Sequence, residues 1–226
     1  MTKVPSHVAI ILDGNRRYAR KKSLRPGEGH RSGAKNIENI IDWALELGIK
    51  ELTLYCFSIE NFNRPKTEVN VLFNLFREHI DKLEKDERVY RNKVKVGFIG
   101  RLNKFPRDVQ AKMDRLMNKT KAYQNFKLNF AMAYGGRAEI VDAVKNIIKR
   151  KIKKIDEKTI SKNLYIEDEP DLVIRTGGEH RISNFLIWQA YYSEWYFSDK
   201  LWPEFSKKDL IKAINSYKKR KRRFGR

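Results

Sequence analysis

The feature that most constrains the fold is an alternation of two periods along one chain. Short apolar runs, partly β-branched, lie at His7–Leu12, Leu52–Phe57, Val94–Ile99, Leu128–Ala133 and Leu172–Ile174, the length and composition of strands. Between them run longer segments whose apolar residues recur at helical spacing, at Gly33–Leu47, Val69–Leu83, Arg107–Thr120 and Arg137–Lys151, with a last one at Lys207–Lys221. The clearest is Val69–Leu83, where Val69, Leu72, Phe73, Phe76, Ile80 and Leu83 share one bulky face. Strands alternating with helices predict an α/β fold, a central, mostly parallel β-sheet surrounded by helices. No repeat, proline-rich linker or low-complexity boundary interrupts the pattern, and 226 residues suit one core better than two. The expectation is a single domain over 1–226.

Charge narrows the partners. Lys and Arg number 49 against 28 Asp and Glu, a net +21, which favours polyanions: nucleic acid, phosphorylated metabolites or an anionic membrane surface. Much of the surplus lies in Lys145–Lys154 and in Lys218–Arg226, where seven of nine residues are basic. Most of these lysines read as a solvated helix face and a basic tail. No RNA- or DNA-reading motif accompanies the charge, so nucleic acid is not expected as a partner. No stretch approaches the roughly 20 apolar residues that cross a bilayer, and no signal-peptide core opens the chain; a cytoplasmic protein is expected. The single cysteine, Cys56, forms no intrachain disulfide, and the four histidines show no zinc-site spacing.

Two strand-end segments look built for anions. The first apolar run leads into Asp13, Gly14, Asn15, Arg16 and Arg17, followed by Arg25, Pro26, Gly27, Gly29, His30 and Gly33, read as a loop before the first helix. Open sheets bind ligands beyond the carboxyl ends of their strands, and glycine-rich approaches to helix N-termini expose amides to phosphate. The segment is neither GxxxxGK[ST] nor GxGxxG, so ordinary nucleotide binding has little support. The last apolar run leads into Arg175, Thr176, Gly177, Gly178, Glu179, His180, Arg181, Ile182 and Ser183. The planar fork of arginine gives a phosphate two parallel hydrogen bonds, and two diphosphates account for both segments. Downstream, Glu194 lies among Trp188, Tyr191, Tyr192, Trp195, Tyr196 and Phe197, where a carboxylate needs a metal or an arginine.

With these segments in view, the sequence closely resembles the cis-prenyltransferases, the undecaprenyl and dehydrodolichyl diphosphate synthase family. The resemblance rests on HVAIILDGNRRYAR from His7, GHRSGAKN from Gly29, LTLYCFSIENFNRP from Leu52, AYGGRAEI from Ala133, DLVIRTGGEHRISNFLIWQ from Asp171 and LWPEF from Leu201, in the family's order and over nearly the whole chain. It implies a cis-prenyltransferase fold enclosing an elongated hydrophobic tunnel, usually in a homodimer. It implies sequential condensation of isopentenyl diphosphate onto an allylic diphosphate, farnesyl or geranylgeranyl, to give a long-chain Z-polyprenyl diphosphate, the precursor of a glycosyl carrier lipid.

The same resemblance assigns residues. Asp13, Gly14, Asn15, Arg17, Arg25 and His30 hold the allylic diphosphate, with Arg16 and Tyr18 in the same segment, where many bacterial members have glycine and tryptophan. Arg175, Arg181 and Ser183 hold isopentenyl diphosphate. Ser58, Asn61 and Asp13 lie near the proton transfer, and Phe62, Arg64 and Glu68 complete a substrate loop. The cofactor is Mg²⁺, held by Asp13 with diphosphate oxygens and by Glu194 of the same or the partner subunit. Arg223, in the RxG ending, reaches toward the partner's site, and the basic run before it suits peripheral contact with an anionic membrane. No adjacent Asp-Asp pair, the mark of trans-prenyltransferases, is present. A catalytically silent partner subunit is the alternative, which the joint presence of Asp13, Asn15, Arg17, Asn61 and Arg181 opposes.

Overall fold

The computed structural model describes residues 4–220. Its six strands are β1 (His7–Ile11), β2 (Glu51–Ser58), β3 (Val94–Ile99), β4 (Phe126–Tyr134), β5 (Leu172–Arg175) and β6 (Glu194–Phe197). They form one sheet in the order β3-β4-β2-β1-β5-β6, and every adjacent pair is parallel. All five residues of β1 are buried, because parallel strands are covered on both faces. Val8 and Ile10 enter one apolar layer, Ala9 and Ile11 the other.

The helices are α1 (Asn15–Lys21), α2 (Pro26–Glu46), α3 (Lys66–Lys85), α4 (Glu87–Arg91), α5 (Arg107–Thr120), α6 (Gly136–Lys149), α7 (Glu157–Ser161) and α8 (Lys207–Lys219). The larger layer gathers Ile40 of α2, Leu72 and Ile80 of α3, Val109, Met113 and Leu116 of α5, and Leu210 and Ala213 of α8. On the opposite face Tyr55, Ala131, Tyr134 and Val173 pack with Ile166, Phe185 and Leu186. The expected α3 face is largely as read, with Leu75 buried as well. Phe73 and Phe76 join Phe57, Phe62 and Phe105 in a cluster of rings with centroids 4.9 to 6.5 Å apart, pairs that each contribute about 0.5–1.5 kcal/mol beyond burial.

Besides α1, a helix that the sequence reading did not expect ahead of α2, two features depart from that reading. The segment Arg25–Gly33 is not a loop: α2 begins at Pro26, seven residues early, because proline suits the first helical position and the Glu28 carboxylate accepts from the Arg25 amide at 2.9 Å. Its glycines serve close packing instead of turning. A Cβ on Gly29 would stand 2.3 Å from the Asn15 carbonyl, and one on Gly33 would stand 2.1 Å from Asn15 Oδ1, so their bareness lets α1 lie against α2. The second departure is β6, an edge strand half-buried along its length, which lacks the continuous apolar run that marks the other strands.

Chain direction places the site. The strand sequence starts in mid-sheet at β1, passes to β2 and on to the β3–β4 edge, then crosses back beyond β1 to β5 and β6. The order therefore reverses between β1 and β5, and an open α/β sheet forms its binding crevice beyond the carboxyl ends at such a point. Asp13 follows β1 there, and Arg175 ends β5.

Candidate active site

Asp13 is held by two arginines from different segments. Its Oδ1 accepts from Arg17 Nη2 at 3.0 Å and its Oδ2 from Arg175 Nη2 at 2.8 Å. The adjoining Gly14 has φ +114°, a conformation open to glycine, and turns the chain from β1 into α1. Thr176 Oγ1 donates to the Asp13 carbonyl at 2.8 Å, fixing the two strand ends to each other.

Arg175 does more than pair with Asp13. Its side chain is 4% exposed, and Nη1 donates to Ser183 Oγ at 2.7 Å and to the Arg181 carbonyl. One guanidinium thus joins the Asp13 carboxylate to the Arg181–Ser183 segment. Arg17 Nη1 donates to the Gly177 carbonyl at 2.5 Å and to Glu179 at 3.4 Å, and Arg181 pairs with Glu179 at 2.6 Å. The Nε of Arg175 and the Oδ1 of Asn15 are buried and have no hydrogen-bond partner among the described residues. A buried donor left open beside a cleft points to an acceptor supplied from outside.

The opposite wall comes from β2, the turn after it and α3. The turn Ile59–Asn63 is a 3-10 helix, and Asn61 Oδ1 accepts from the Ser58 amide at 3.1 Å. Glu68, half-buried in the first turn of α3, accepts from His30 Nε2 at 3.1 Å and Arg64 Nη1 at 3.2 Å, with Arg16 Nε 3.8 Å away. Burial lowers the pKa of His30 from its ordinary value, outweighing the Glu68 hydrogen bond that raises it, and favours the neutral ring. Burial likewise lowers that of Arg64, which stays a cation.

These walls enclose a polar cleft lined by Asp13, Asn15, His30, Ser58, Asn61, Arg64, Arg175 and Ser183. Leu12, Asn15, His30, Cys56 and Leu72 also line a second, predominantly apolar cavity between the sheet, α2 and α3, whose wall includes Ile37, Ile41, Phe76, Ile80, Phe98, Phe130 and Met132. The two spaces share a boundary. Burial pushes the Cys56 thiol up to about 12, so it is an apolar wall group and no nucleophile.

Not every expected residue lines the cleft. Gly14, Arg16, Arg17, Glu68 and Arg181 are not in the lining, and the contacts above join them to residues that are. Phe62 belongs to the ring cluster, with Lys104 Nζ 5.8 Å from its centroid. Tyr18 is half-buried on α1 outside the lining, and the Arg25 side chain is 88% exposed and pairs with Glu28. Glu194 opens β6, level with Leu172, while Phe197 is level with Arg175, so Glu194 sits about 10 Å toward the other end of the sheet. There it accepts from Arg220 at 2.5 Å. Asp13 and Glu194 of one chain therefore do not meet around a metal, because parallel strands place a strand's first residue far from its neighbour's last. Arg223 lies outside the described residues.

The sequence reading missed Tyr55, and it named Thr176 within its segment without giving it a role. Tyr55 is buried, donates to the Tyr134 carbonyl at 3.2 Å, and stacks on Phe185 at 4.6 Å beside Ser183. Both lie near the carboxyl ends of central strands, the one signal that could have marked them. Among the described residues no three His, Cys, Asp or Glu side chains gather as a metal site. The cleft lining holds two carboxylates, Asp13 and Glu60, and so small a set suits Mg²⁺, which keeps several waters and takes phosphate oxygens in place of a full protein cage.

Comparison with known proteins agrees with this geometry. Residues 11–225 match the family described as putative undecaprenyl diphosphate synthase. The chain belongs to the cis-prenyltransferase family. A tritrans,polycis-undecaprenyl-diphosphate synthase (geranylgeranyl-diphosphate specific) of Methanopyrus kandleri is 48% identical, covering 99% of this chain and 86% of that protein. The protein of the same name from Pyrococcus horikoshii is 49% identical over 99% of this chain and 88% of its own length. Among solved structures, lavandulyl diphosphate synthase from Lavandula x intermedia, in complex with dimethylallyl diphosphate, superposes with a TM-score of 0.93 at 36% identity over 99% of both chains. A probable undecaprenyl diphosphate synthase from Campylobacter jejuni superposes at 0.84 with 32% identity over the whole of both. The family and fold expected from the motifs are those found, and this cis-prenyltransferase chain is an enzyme of prenyl transfer. No helix among the described residues is long and apolar enough to cross a membrane.

Proposed function

We propose that this cis-prenyltransferase adds isopentenyl diphosphate repeatedly to geranylgeranyl diphosphate and yields a long Z-polyprenyl diphosphate that serves as a carrier lipid for glycosyl groups. The observation that carries the reading is the shared boundary between an arginine-rich cleft and an apolar cavity, a place for a charged head and a growing hydrocarbon tail. The names of the relatives at 48% and 49% identity support this primer over farnesyl diphosphate.

The residues divide by charge. Asp13, Asn15 and Arg17 receive the allylic diphosphate, and α1 starts at Asn15 after a Gly14 that supplies no side-chain cap, leaving its first amides free for phosphate oxygens. Arg175, Arg181 and Ser183 receive isopentenyl diphosphate. The allylic carbon–oxygen bond breaks with its electron pair leaving on diphosphate, while the isopentenyl double bond forms the new carbon–carbon bond. A proton then leaves C2, beside Ser58 and Asn61, for an oxygen of the released diphosphate, and the electron pair of its bond forms the new Z double bond. Asp13 would hold Mg²⁺ together with the diphosphate, and the ion would supply charge neutralisation for the leaving group. Neutral His30, tied to Glu68, orients the head without adding charge.

The working unit is a homodimer. The α6 helix exposes Val141, Val144 and Ile148, which are 47%, 41% and 68% accessible, and their spacing of three and four makes one apolar stripe that a second copy covers. In such a dimer Glu194 and Arg223 act on the partner's site. The net charge of +21 supports peripheral attraction to anionic lipid, where the product's tail ends.

The test incubates purified protein with labelled isopentenyl diphosphate and Mg²⁺ plus geranylgeranyl, farnesyl or dimethylallyl diphosphate, alongside Asp13→Ala and Arg181→Ala. A ladder of Z-products, strongest from geranylgeranyl diphosphate and absent in both variants and in EDTA, is expected. Absence of product from all three primers would overturn the assignment in favour of a silent subunit.

A further inference from the structure

The apolar cavity is not lined by carbon throughout. Where it reaches the seam between α2 and α3, Glu38, His79, Lys82 and Asp86 join Ile41, Ile80 and Leu83 in its wall. Lys82 Nζ donates to both oxygens of Glu38, at 2.7 and 2.8 Å, and His79 Nδ1 lies 3.7 Å from the same carboxylate. Just beyond, Arg88 bridges Asp42 at 2.7 Å and Asp86 at 2.6 Å. The seam is closed by charge at the point where the cavity meets the surface.

This closure lies opposite the polar cleft. Glu68 and Lys82 stand about four turns apart on α3, some 21 Å along its axis. A tail anchored by its diphosphate at Asp13 and lengthened one isoprene unit at a time advances toward Glu38 and Lys82. We infer that the Glu38–Lys82 pair, backed by His79, is a polar stop that limits the length of the prenyl product. A short tail touches only carbon. A tail reaching the pair must separate two charges or strip water from them, and both are unfavourable. Lys82 is 58% exposed at its side chain, so parting the pair opens the seam without disturbing the core.

The inference rests on the elongation reading above, and the experiment separates the two. Product length is measured by chromatography after exhaustive elongation from geranylgeranyl diphosphate, and the first condensation is timed separately with limiting isopentenyl diphosphate. The proteins are wild type, Lys82→Ala, the double variant Glu38→Ala with Lys82→Ala, and the exchange Glu38→Lys with Lys82→Glu. The alanine variants are expected to end at least one isoprene unit longer, the double variant furthest, and the exchange to restore the wild-type distribution. All should carry out the first condensation within about twofold of wild type. An unchanged distribution in Lys82→Ala and the double variant, with normal first condensation, would refute the stop. Should the double variant fail to fold, Lys82→Ala at its exposed site decides alone. Failure of wild type itself to perform the first condensation would sink the elongation reading instead.

Discussion

Replacing Arg175 by lysine tests whether one guanidinium holds both diphosphate sites together. The substitution keeps the positive charge and most of the stem but removes the fork. Arginine here reaches Asp13 Oδ2 at 2.8 Å, Ser183 Oγ at 2.7 Å and the Arg181 carbonyl. An ammonium is a single point and serves one of these acceptors well. Two charge-assisted hydrogen bonds are lost, each about 1.5–3 kcal/mol. Asp13 is 28% exposed, so water restores part of its share, leaving a net loss of about 2–4 kcal/mol. In a chain of this size a loss of 1 kcal/mol lowers the melting midpoint by about 2–4 °C, so Arg175→Lys should melt roughly 5–15 °C below wild type. Kinetics should show a raised KM for isopentenyl diphosphate, because Arg181 and Ser183 lose their anchor, and a lowered kcat, because Asp13 is freed on one side. A variant melting within about 2 °C of wild type with both constants unchanged would show that the bridge is incidental.

Four further outcomes are expected. Asp13→Asn keeps the volume but loses the charge that Arg17 and Arg175 face and Mg²⁺ needs, so activity should fall by at least about 100-fold without recovery at high Mg²⁺, as a Mg²⁺ titration of turnover checks. Gly33→Ala places a Cβ 2.1 Å from Asn15 Oδ1 and 3.0 Å from Trp202; prying α1 from α2 should cost about 1–3 kcal/mol in denaturant unfolding and slow turnover with it. Burial pushes the pKa of Glu51 from 4.5 up to about 7, so the folded chain holds this proton more tightly than the unfolded chain. Stability from it is full below pH 4.5 and lost as pH rises through about 7, so Glu51→Gln should gain about 2–3 kcal/mol on wild type between pH 5 and 9. The buried His7, its pKa lowered to about 4, titrates in both proteins and cancels in that comparison. Val144→Asp with Ile148→Asp on α6 should convert the proposed dimer to a monomer by light scattering, and an unaltered mass would place the interface elsewhere.

The strands that carry apolar runs were legible because β1 and β5 are buried on both faces, β2 and β4 nearly so, and the edge strand β3 keeps one face buried at Val94, Val96 and Phe98, so period and composition agree. The edge strand β6 was not, since Glu194, Trp195, Tyr196 and Phe197 are all half-buried and share no single environment for a pattern to record. The start of α2 was misread for a different reason. Gly27, Gly29 and Gly33 look like turn residues when only their dihedral freedom is considered. Gly29 and Gly33 are needed for the space a side chain would fill, which depends on Asn15 and Trp202 arriving from elsewhere in the chain. Glycine in a sequence states that something is missing, and only the packing tells whether an angle or an approach required it.

The site shows the same division. The two strand-end segments that carry Asp13, Arg17, Arg175, Arg181 and Ser183 could be picked as anion sites from their arginines and glycines, and the proposed roles of the single residues came from the family resemblance. Their partition into one set for each substrate is less complete than the sequence implies. Arg175 bonds to members of both sets, and it does so because β1 and β5 are parallel neighbours whose last residues, Ile11 and Arg175, stand level in the sheet. That register brings an aspartate two residues beyond one strand within reach of an arginine ending the other. A shift of one residue would turn Arg175 to the opposite face and leave Asp13 without its second partner. The joining of the two proposed substrate segments is therefore a consequence of strand register as much as of motif.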